Sequence, residues 1–453
     1  MNPRALRRGI AVMVAFALLA LPPTPQKVAR AGSRHPNILI IVTDDQRRSL
    51  SVMPQTVRHF VTHGWRFPQA SVTTPLCCPS RSSILTGRFA HNHGVLTSQM
   101  THDLAQKTTV EYYLKQQGYR TAIFGKYVNG WGFEDPPYFD QWATAPSRTY
   151  YDGTYLVNGT IKTIPSYSTS YLRRKAVRFI KAAASGAGQP WFLYLAPFAP
   201  HNPFTPQIRY ANARVPKLHD NPAIEEADKS DKPPFVQEAS STYATGVHHH
   251  KAQERTLLSV DDMVGAVFAA LHATGQGRNT LAFFLSDNGL LYGEHGLLGK
   301  QVPYLQSIKV PMMMRWPRLG AGIDRRLVAN IDIAPTILDA THYQGPLNAP
   351  MDGRSLLDRS WNRGRMLNEF WSTGKPTPTW ASIRTRHFQY TEYYDSQGGI
   401  VFREYYDLAT DRWQLHNVLR DSDPTNNPDV RALHDQLAAD RTCIGTGGPN
   451  ACP

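Results

Sequence analysis

Cysteine is scarce in this chain, four among 453 residues, and none stands in a Cys/His spacing suited to zinc. A disulfide-built miniature fold and a structural zinc module are thereby excluded. Acidic residues are the minority charge, 35 against 49 basic ones, and the formal net charge is +14. The first 31 residues contain Arg4, Arg7, Arg8, Lys27 and Arg30 and no acid at all. Internal repeats and low-complexity tracts are absent, and beyond the amino terminus no apolar run is long enough to read as a membrane span. Charged residues at 19% and hydrophobic ones at 41% describe a globular chain. Its length predicts one large domain and a smaller one.

What is present begins with an export signal over residues 1–31. Arginines precede an apolar run at 10–21, and Ala29-Arg30-Ala31 supplies a small-x-small cleavage site. The run is too short to span a bilayer. Arg7-Arg8 hints at the twin-arginine route, so export by either the general or the twin-arginine path is open. The expected location is secreted or periplasmic. Cys443 and Cys452 suit that compartment, being close enough to close a small loop in an oxidising environment. A basic mature chain favours anionic partners. Net charge alone leaves nucleic acid, anionic lipid and an anionic polymer open as partners, though no basic arm and no nucleic-acid module is visible.

Four apolar strands organise the middle of the chain: residues 37–43, 119–124, 191–196 and 280–285. Helical segments at 109–117, 172–184 and 253–272 alternate with them. Continuous apolar strands separated by helices predict an α/β fold with a large, mostly parallel sheet sandwiched by helices. In such sheets ligands bind at the carboxyl ends of the strands. The polar groups just beyond those ends are Asp44 and Asp45, Lys126, His201, and Asp287 with Asn288. Two adjacent carboxylates are costly to bring together unless a cation accepts them, or unless they sit in a solvated turn. A proline-rich, charged stretch at 201–243 reads as a long loop over the site, and His248-His249-His250 as a solvated loop or a helix start rather than a metal site. Residues 380–394 and 401–407 predict antiparallel strands, followed by a helix at 430–439. The expected division is 32–360 for a catalytic domain and 361–453 for a smaller C-terminal α+β part.

Thr73-Thr74-Pro75-Leu76-Cys77-Cys78-Pro79-Ser80-Arg81 carries the chemistry. Proline and serine suit a first helical turn, so Cys77 is expected just outside a helix N-terminus, where free N–H groups favour negative charge. Together with Leu85-Thr86-Gly87-Arg88, the pattern Cys-x-Pro-Ser-Arg resembles the signature of the type I sulfatases. The double cysteine and His91-Asn92-His93-Gly94 resemble their N-acetylglucosamine-6-sulfatase branch. The likeness runs from about Pro36 to the end.

The resemblance implies the alkaline-phosphatase-like sulfatase fold and a formylglycine (3-oxoalanine) made from Cys77 by a formylglycine-generating enzyme. Hydrated, that aldehyde is a geminal diol. One hydroxyl attacks sulfur and the other expels sulfate, which an ordinary serine ester cannot do. The implied metal ligands are Asp44, Asp45, Asp287 and Asn288, with residue 77 also touching the ion. All-oxygen hard donors select Ca²⁺, with Mg²⁺ as the alternative. Arg81 is expected to hold residue 77 and the metal site together, Lys126 and Lys300 to bind sulfate oxygens, and His201 to serve the leaving group. His295 is either an additional substrate contact or a satisfied histidine that supports the site from behind.

One departure stands out. Lys126 is followed by Tyr127-Val128-Asn129, whereas many relatives have histidine two residues after this lysine. The base for sulfate elimination therefore has no assigned residue. The expected substrate is a sulfated sugar of glucosamine 6-sulfate type, or an aryl sulfate. The alternatives are a phosphodiester or phosphonate monoester hydrolase on the same fold and a glycan-binding protein with unmodified Cys77.

Overall fold

The computed structural model describes Met1 and residues 35–146, 148–186 and 188–453, and the export signal read over residues 1–31 lies outside this set except for Met1. Residues 33–453 form one compact unit. In chain order the strands are β1 (Asn37–Thr43), β2 (Trp65–Arg66), β3 (Arg120–Gly125), β4 (Gln141–Thr144), β5 (Gly153–Val157), β6 (Thr160–Ile164), β7 (Trp191–Ala196) and β8 (Thr280–Ser286). They continue with β9 (Leu291–Tyr292), β10 (Leu298–Gly299), β11 (Met312–Arg315), β12 (Gly322–Ile323), β13 (Met366–Phe370), β14 (Thr379–Arg384), β15 (Phe388–Tyr394) and β16 (Ile400–Asp407). The principal helices are α1 (Cys77–Thr86), α2 (Val110–Gln116), α3 (Ser168–Ala184), α4 (Tyr243–Ala273), α5 (Ile333–Ala340) and α6 (Val430–Asp440).

A ten-stranded sheet runs in the order β12-β2-β11-β8-β1-β7-β3-β4-β5-β6. Its centre is parallel, with Ile38 opposite both Phe192 and Leu281, and β3 in parallel register with β7. The margins are antiparallel, β11 against β8 and β4 against β5. Strand β1 is apolar at successive positions because both its faces are covered. Ile38, Ile40 and Val42 enter a core shared with α1, α2 and α5, while Leu39 and Ile41 enter one shared with α3 and α4. Each such buried side chain contributes about 1.5–3 kcal/mol.

The expected sheet is present. The helix read over 253–272 is ten residues longer at its start, Tyr243–Ala273, and absorbs His248-His249-His250. By length and hydropathy it could cross a bilayer. Contrary to the expectation that no later stretch could, composition alone does not decide the matter. Here Val260, Val264, Val267 and Leu271 lie in the core against the sheet.

A separate antiparallel sheet, β13-β14-β15-β16, follows. It is tied directly to the loop that precedes α1: Asn368 Nδ2 donates to Val72 O at 2.7 Å and Glu369 N to Thr73 O at 2.8 Å. Helix α6 packs against it through Leu437, and Cys443 and Cys452 form a disulfide just beyond.

Candidate active site

The carboxyl ends of β1, β3, β7 and β8 lie on one edge of the sheet and deliver their polar groups to one place. Gly125, the last residue of β3, has φ +110°, and a Cβ there would meet Ala196 O at 1.9 Å. Only glycine lets the chain turn so close to β7, and the turn places Lys126 N against Ala196 O at 2.8 Å. After β1, Asp45 adopts the left-handed φ of +68°, uncommon for a residue with a side chain. Its carbonyl is held by Gln253 Nε2 of α4 at 3.2 Å, and its N–H donates to Asp287 Oδ1 at 3.2 Å.

Cys77 is the first residue of α1 rather than standing just outside it, with Leu76 as the N-cap. Such an offset of one residue is the usual latitude of helix ends. Helix α1 is buried along its whole length and closes on Gly87, whose φ of +69° lets its N–H cap Ser83 O. Cys77 Sγ lies 3.3 Å from Asp44 Oδ1, 4.0 Å from Asp45 Oδ1 and 2.7 Å from Lys300 Nζ. Burial and the Asp44 charge push the thiol up to about 12 against Lys126 and Lys300, so unmodified Cys77 is a neutral thiol at neutral pH.

Around it three acids meet three bases. Arg81 Nε donates to Asp287 Oδ2 at 2.8 Å, and its NH1 to Lys126 O at 2.9 Å. Lys126 donates to Asp44 Oδ2, and Lys300 to Asp45 Oδ1 and, at 3.1 Å, to Asn288 Oδ1. Asn288 Nδ2 donates to Asp45 Oδ1 at 2.7 Å. Burial alone would raise the Asp44 carboxyl, but Lys126, His201, Arg81 and Lys300 hold it well below the usual carboxylate range. Burial and the neighbouring Asp44 raise Asp287. Burial opposes the Arg81 charge, yet Asp287, Tyr194 and Asp44 together drive that guanidinium above its ordinary value.

His201 stands with Nε2 3.5 Å from Asp45 Oδ2, while its Nδ1 is 2.7 Å from Asn202 O. One ligand atom from each of Asp44, Asp45, Cys77 and His201 lies within 4.8 Å of the others, a cluster able to hold a metal ion. Asp287 and Asn288 border it through their bonds to Asp45. The donors fit a hard divalent cation, because carboxylate oxygens dominate and no second histidine or thiolate joins them. His91, Cys443 and Cys452 also gather, but the two cysteines are bonded to each other.

The cluster opens into a cavity of about 910 Å³ that Asp45, Cys77, His201 and Lys300 line. His295 is not there: it is fully buried, its Nδ1 2.7 Å from Glu226 Oε2 and its ring against Tyr304. A side chain with no exposed surface meets no substrate, so the substrate contact expected of His295 is set aside. The structure brings the other nine candidates together.

Residues 36–343 match the family described as Sulfatase, and residues 293–442 match the one described as N-sulphoglucosamine sulphohydrolase, C-terminal. The chain belongs to the sulfatase family. It is 31% identical to the N-acetylglucosamine-6-sulfatase of Homo sapiens over 87% of this chain and 83% of that one. It is 34% identical to a protein named as an extracellular sulfatase Sulf-1 homolog of Caenorhabditis elegans over 75% of this chain. The sulfatase-family chain spans about half the length of that relative, 51%. In fold it resembles a solved structure in complex with its substrate D-glucosamine-2-N,6-O-disulfate, with a TM-score of 0.74 and 21% identity over 89% of this chain and 97% of that one.

Sequence reasoning missed several groups of this sulfatase-family site. Arg148 reaches the cavity with NH1 3.5 Å from His201 Nε2, and Thr373 and Lys375 arrive from the turn between β13 and β14. Gln253 anchors the strained Asp45. None lies in a motif. Gln253 left no trace, because its neighbours on the buried side of the helix, His250, Glu254 and Thr256, are polar as well. The His91-Asn92-His93 run proves to be a brace: His91 Nδ1 bonds Glu369 Oε2 at 2.8 Å, Asn92 Nδ2 bonds Asp352 Oδ2 at 2.9 Å, and His93 Nε2 meets Ser83 Oγ of α1 at 3.1 Å.

Proposed function

We propose that the protein is an exported sulfuric ester hydrolase that releases inorganic sulfate from a sulfated sugar of glucosamine 6-sulfate type, and from aryl sulfates as surrogates. One observation carries this reading. Asp44, Asp45, Asp287, Asn288, Lys126, Lys300 and Arg81 converge on residue 77 at the wall of a cavity large enough for a sugar.

Residue 77, converted by a maturation enzyme to formylglycine and hydrated, supplies a nucleophilic hydroxyl and a second hydroxyl through which sulfate departs. Asp44, Asp45, Asp287 and Asn288 would hold a Ca²⁺ ion, which would supply Lewis acidity. The remaining work falls to the chain's own side chains. Lys126 and Lys300 bind sulfate oxygens and offset the charge that builds at sulfur. His201, at the cavity wall, holds a hydrogen bond or proton at the departing sugar oxygen. Arg81 touches no substrate: through Asp287 and the Lys126 carbonyl it fixes the positions of the groups that do. In this division residues 32–360 carry the reaction, and 361–453 brace the loop before residue 77.

Mass spectrometry of the peptide holding residue 77, with sulfate release by the purified protein, tests the reading. An aldehyde at 77 and activity abolished by Cys77→Ala are expected. An intact thiol in active protein, or faster turnover of a nitrophenyl phosphate ester than of nitrophenyl sulfate, overturns it.

A further inference from the structure

A second cavity, of about 710 Å³, lies at the opposite edge of the large sheet. Gly275, Gly277 and Arg278 come from the turn that leads into β8, and Arg315 from the end of β11, which runs antiparallel beside the start of β8. The candidate active site begins where β8 ends. Seven residues of strand, about 20 Å, therefore separate the two.

The lining is unusual in its charge. Arg58, Arg278 and Arg315 and the histidines 59, 63 and 272 all face the cavity, and no aspartate or glutamate does. Among the described residues, none of these six forms an ion pair with a carboxylate. The His59 ring stacks on Phe268 at 4.3 Å, and the Arg315 guanidinium lies over the same ring at 5.0 Å. Arg315 Nε is buried and has no hydrogen-bond partner. Burial first, then Arg315, Arg58 and His63, push His59 down to about 4, so this ring is neutral near pH 7 and the three arginines carry the cavity's standing positive charge. Like charges gathered without a counter-charge raise the free energy of a fold and are relieved by an anion. Leu271, Ala269 and Pro317 give the same cavity apolar wall, which suits the carbon face of a sugar ring better than a bare inorganic ion.

We infer that this cavity is a second binding site, separate from the reaction centre, for an anionic oligosaccharide bearing several sulfate or carboxylate groups. The volume falls within the range of about 300–1,000 Å³ typical of small-ligand sites. Arg58, His272 and Arg278 at the exposed rim meet the acidic groups, and the Arg315 guanidinium adds positive charge to the cavity wall. A polymer held here keeps the protein on its substrate between turnovers without taking part in chemistry. The inference stands apart from the reaction at residue 77, because it is read as binding.

The test uses the full chain and a fluorescein-labelled sulfated hexasaccharide, followed by polarisation at several salt concentrations. The double variant Arg58→Gln/Arg278→Gln, both at exposed positions, is expected to weaken binding about tenfold and to flatten the salt dependence by about two charges' worth. Its turnover of nitrophenyl sulfate stays at the wild-type value. Arg412→Gln/Arg431→Gln, an equal charge change on exposed residues of the C-terminal region, is expected to weaken binding less than about twofold. Unchanged affinity in the first variant, or equal loss in both, overturns the site. A single-stranded oligonucleotide of the same charge that binds this cavity as tightly as the hexasaccharide overturns the assignment to a glycan.

Discussion

The Lys300 ammonium lies 2.7 Å from Cys77 Sγ and also donates to Asp45 Oδ1 and Asn288 Oδ1. One positive nitrogen thus touches the reacting residue and two of the proposed metal ligands. Replacing Lys300 with alanine is predicted to lower kcat on nitrophenyl sulfate about 10²–10³-fold, the usual cost of removing one preorganised donor to developing charge. Lys300→Arg retains charge but not the compact point donor, and is predicted to recover only part of the loss. Steady-state kinetics on the two variants check this. A kcat for Lys300→Ala within about threefold of wild type contradicts the role.

Arg81 and Asp287 form a buried pair with no exposed surface on either side chain. Removing one partner leaves a charge stranded away from water. Arg81→Met is therefore predicted to destabilise the fold by about 3–5 kcal/mol, read from denaturant unfolding. The double variant Arg81→Met/Asp287→Asn should lose less than the sum of the two single changes, since the second relieves the charge orphaned by the first. Strict additivity argues against the pairing.

Glu111 is buried near Tyr127, whose hydroxyl donates to its Oε1 at 3.3 Å and to Gln106 Oε1 at 2.7 Å. Burial pushes this carboxyl up from 4.5 to about 8. The folded chain therefore binds one more proton than the unfolded chain between those two values, and stability falls as pH rises through the window. Glu111→Gln keeps the shape and removes the titration. The stability of the variant relative to wild type is predicted to rise between pH 5 and pH 8.5, by a few kcal/mol at most. Parallel unfolding curves across that range sink the prediction.

The parts of the fold that were legible before the coordinates share one property: their signal is local. Continuous apolar runs marked β1, β7 and β8 because a strand covered on both faces has no polar alternation. Once a parallel sheet is inferred, its carboxyl edge follows, and that rule drew Asp44, Lys126, His201 and Asp287 to one place from four separate strands. The edge strands β4 to β6 were not read. The exposed β6, Thr160–Ile164, mixes polar and apolar residues without a core to impose a pattern. His295 entered as a candidate from the family resemblance alone, and the direction its side chain takes is not written in the motif. Its left-handed φ of +56° marks where the chain turns, and its side chain bonds Glu226 instead. Arg148 and Lys375 were invisible for the opposite reason: they reach the cavity from loops whose course no periodicity encodes.

The balance of three acids and three bases around residue 77 bears on what a divalent ion does for the fold. Asp44, Asp45 and Asp287 already face Lys126, Lys300 and Arg81, so their mutual repulsion is offset without a metal. Chelation is therefore predicted to abolish turnover while lowering the unfolding temperature only modestly, corresponding to about 2–3 kcal/mol for an ion held at a hundred times its dissociation constant. Removing Lys300 changes that balance, because Asp45 then keeps only His201 and the Asn288 amide beside the ion. In Lys300→Met the same chelation should cost clearly more stability than in wild type, and re-added Ca²⁺ should restore the melting temperature of both. Calorimetry with and without chelator on the two proteins decides the matter. Equal shifts in both show that Lys300 and the ion do not share the acids, and full turnover after chelation removes the metal from the reaction.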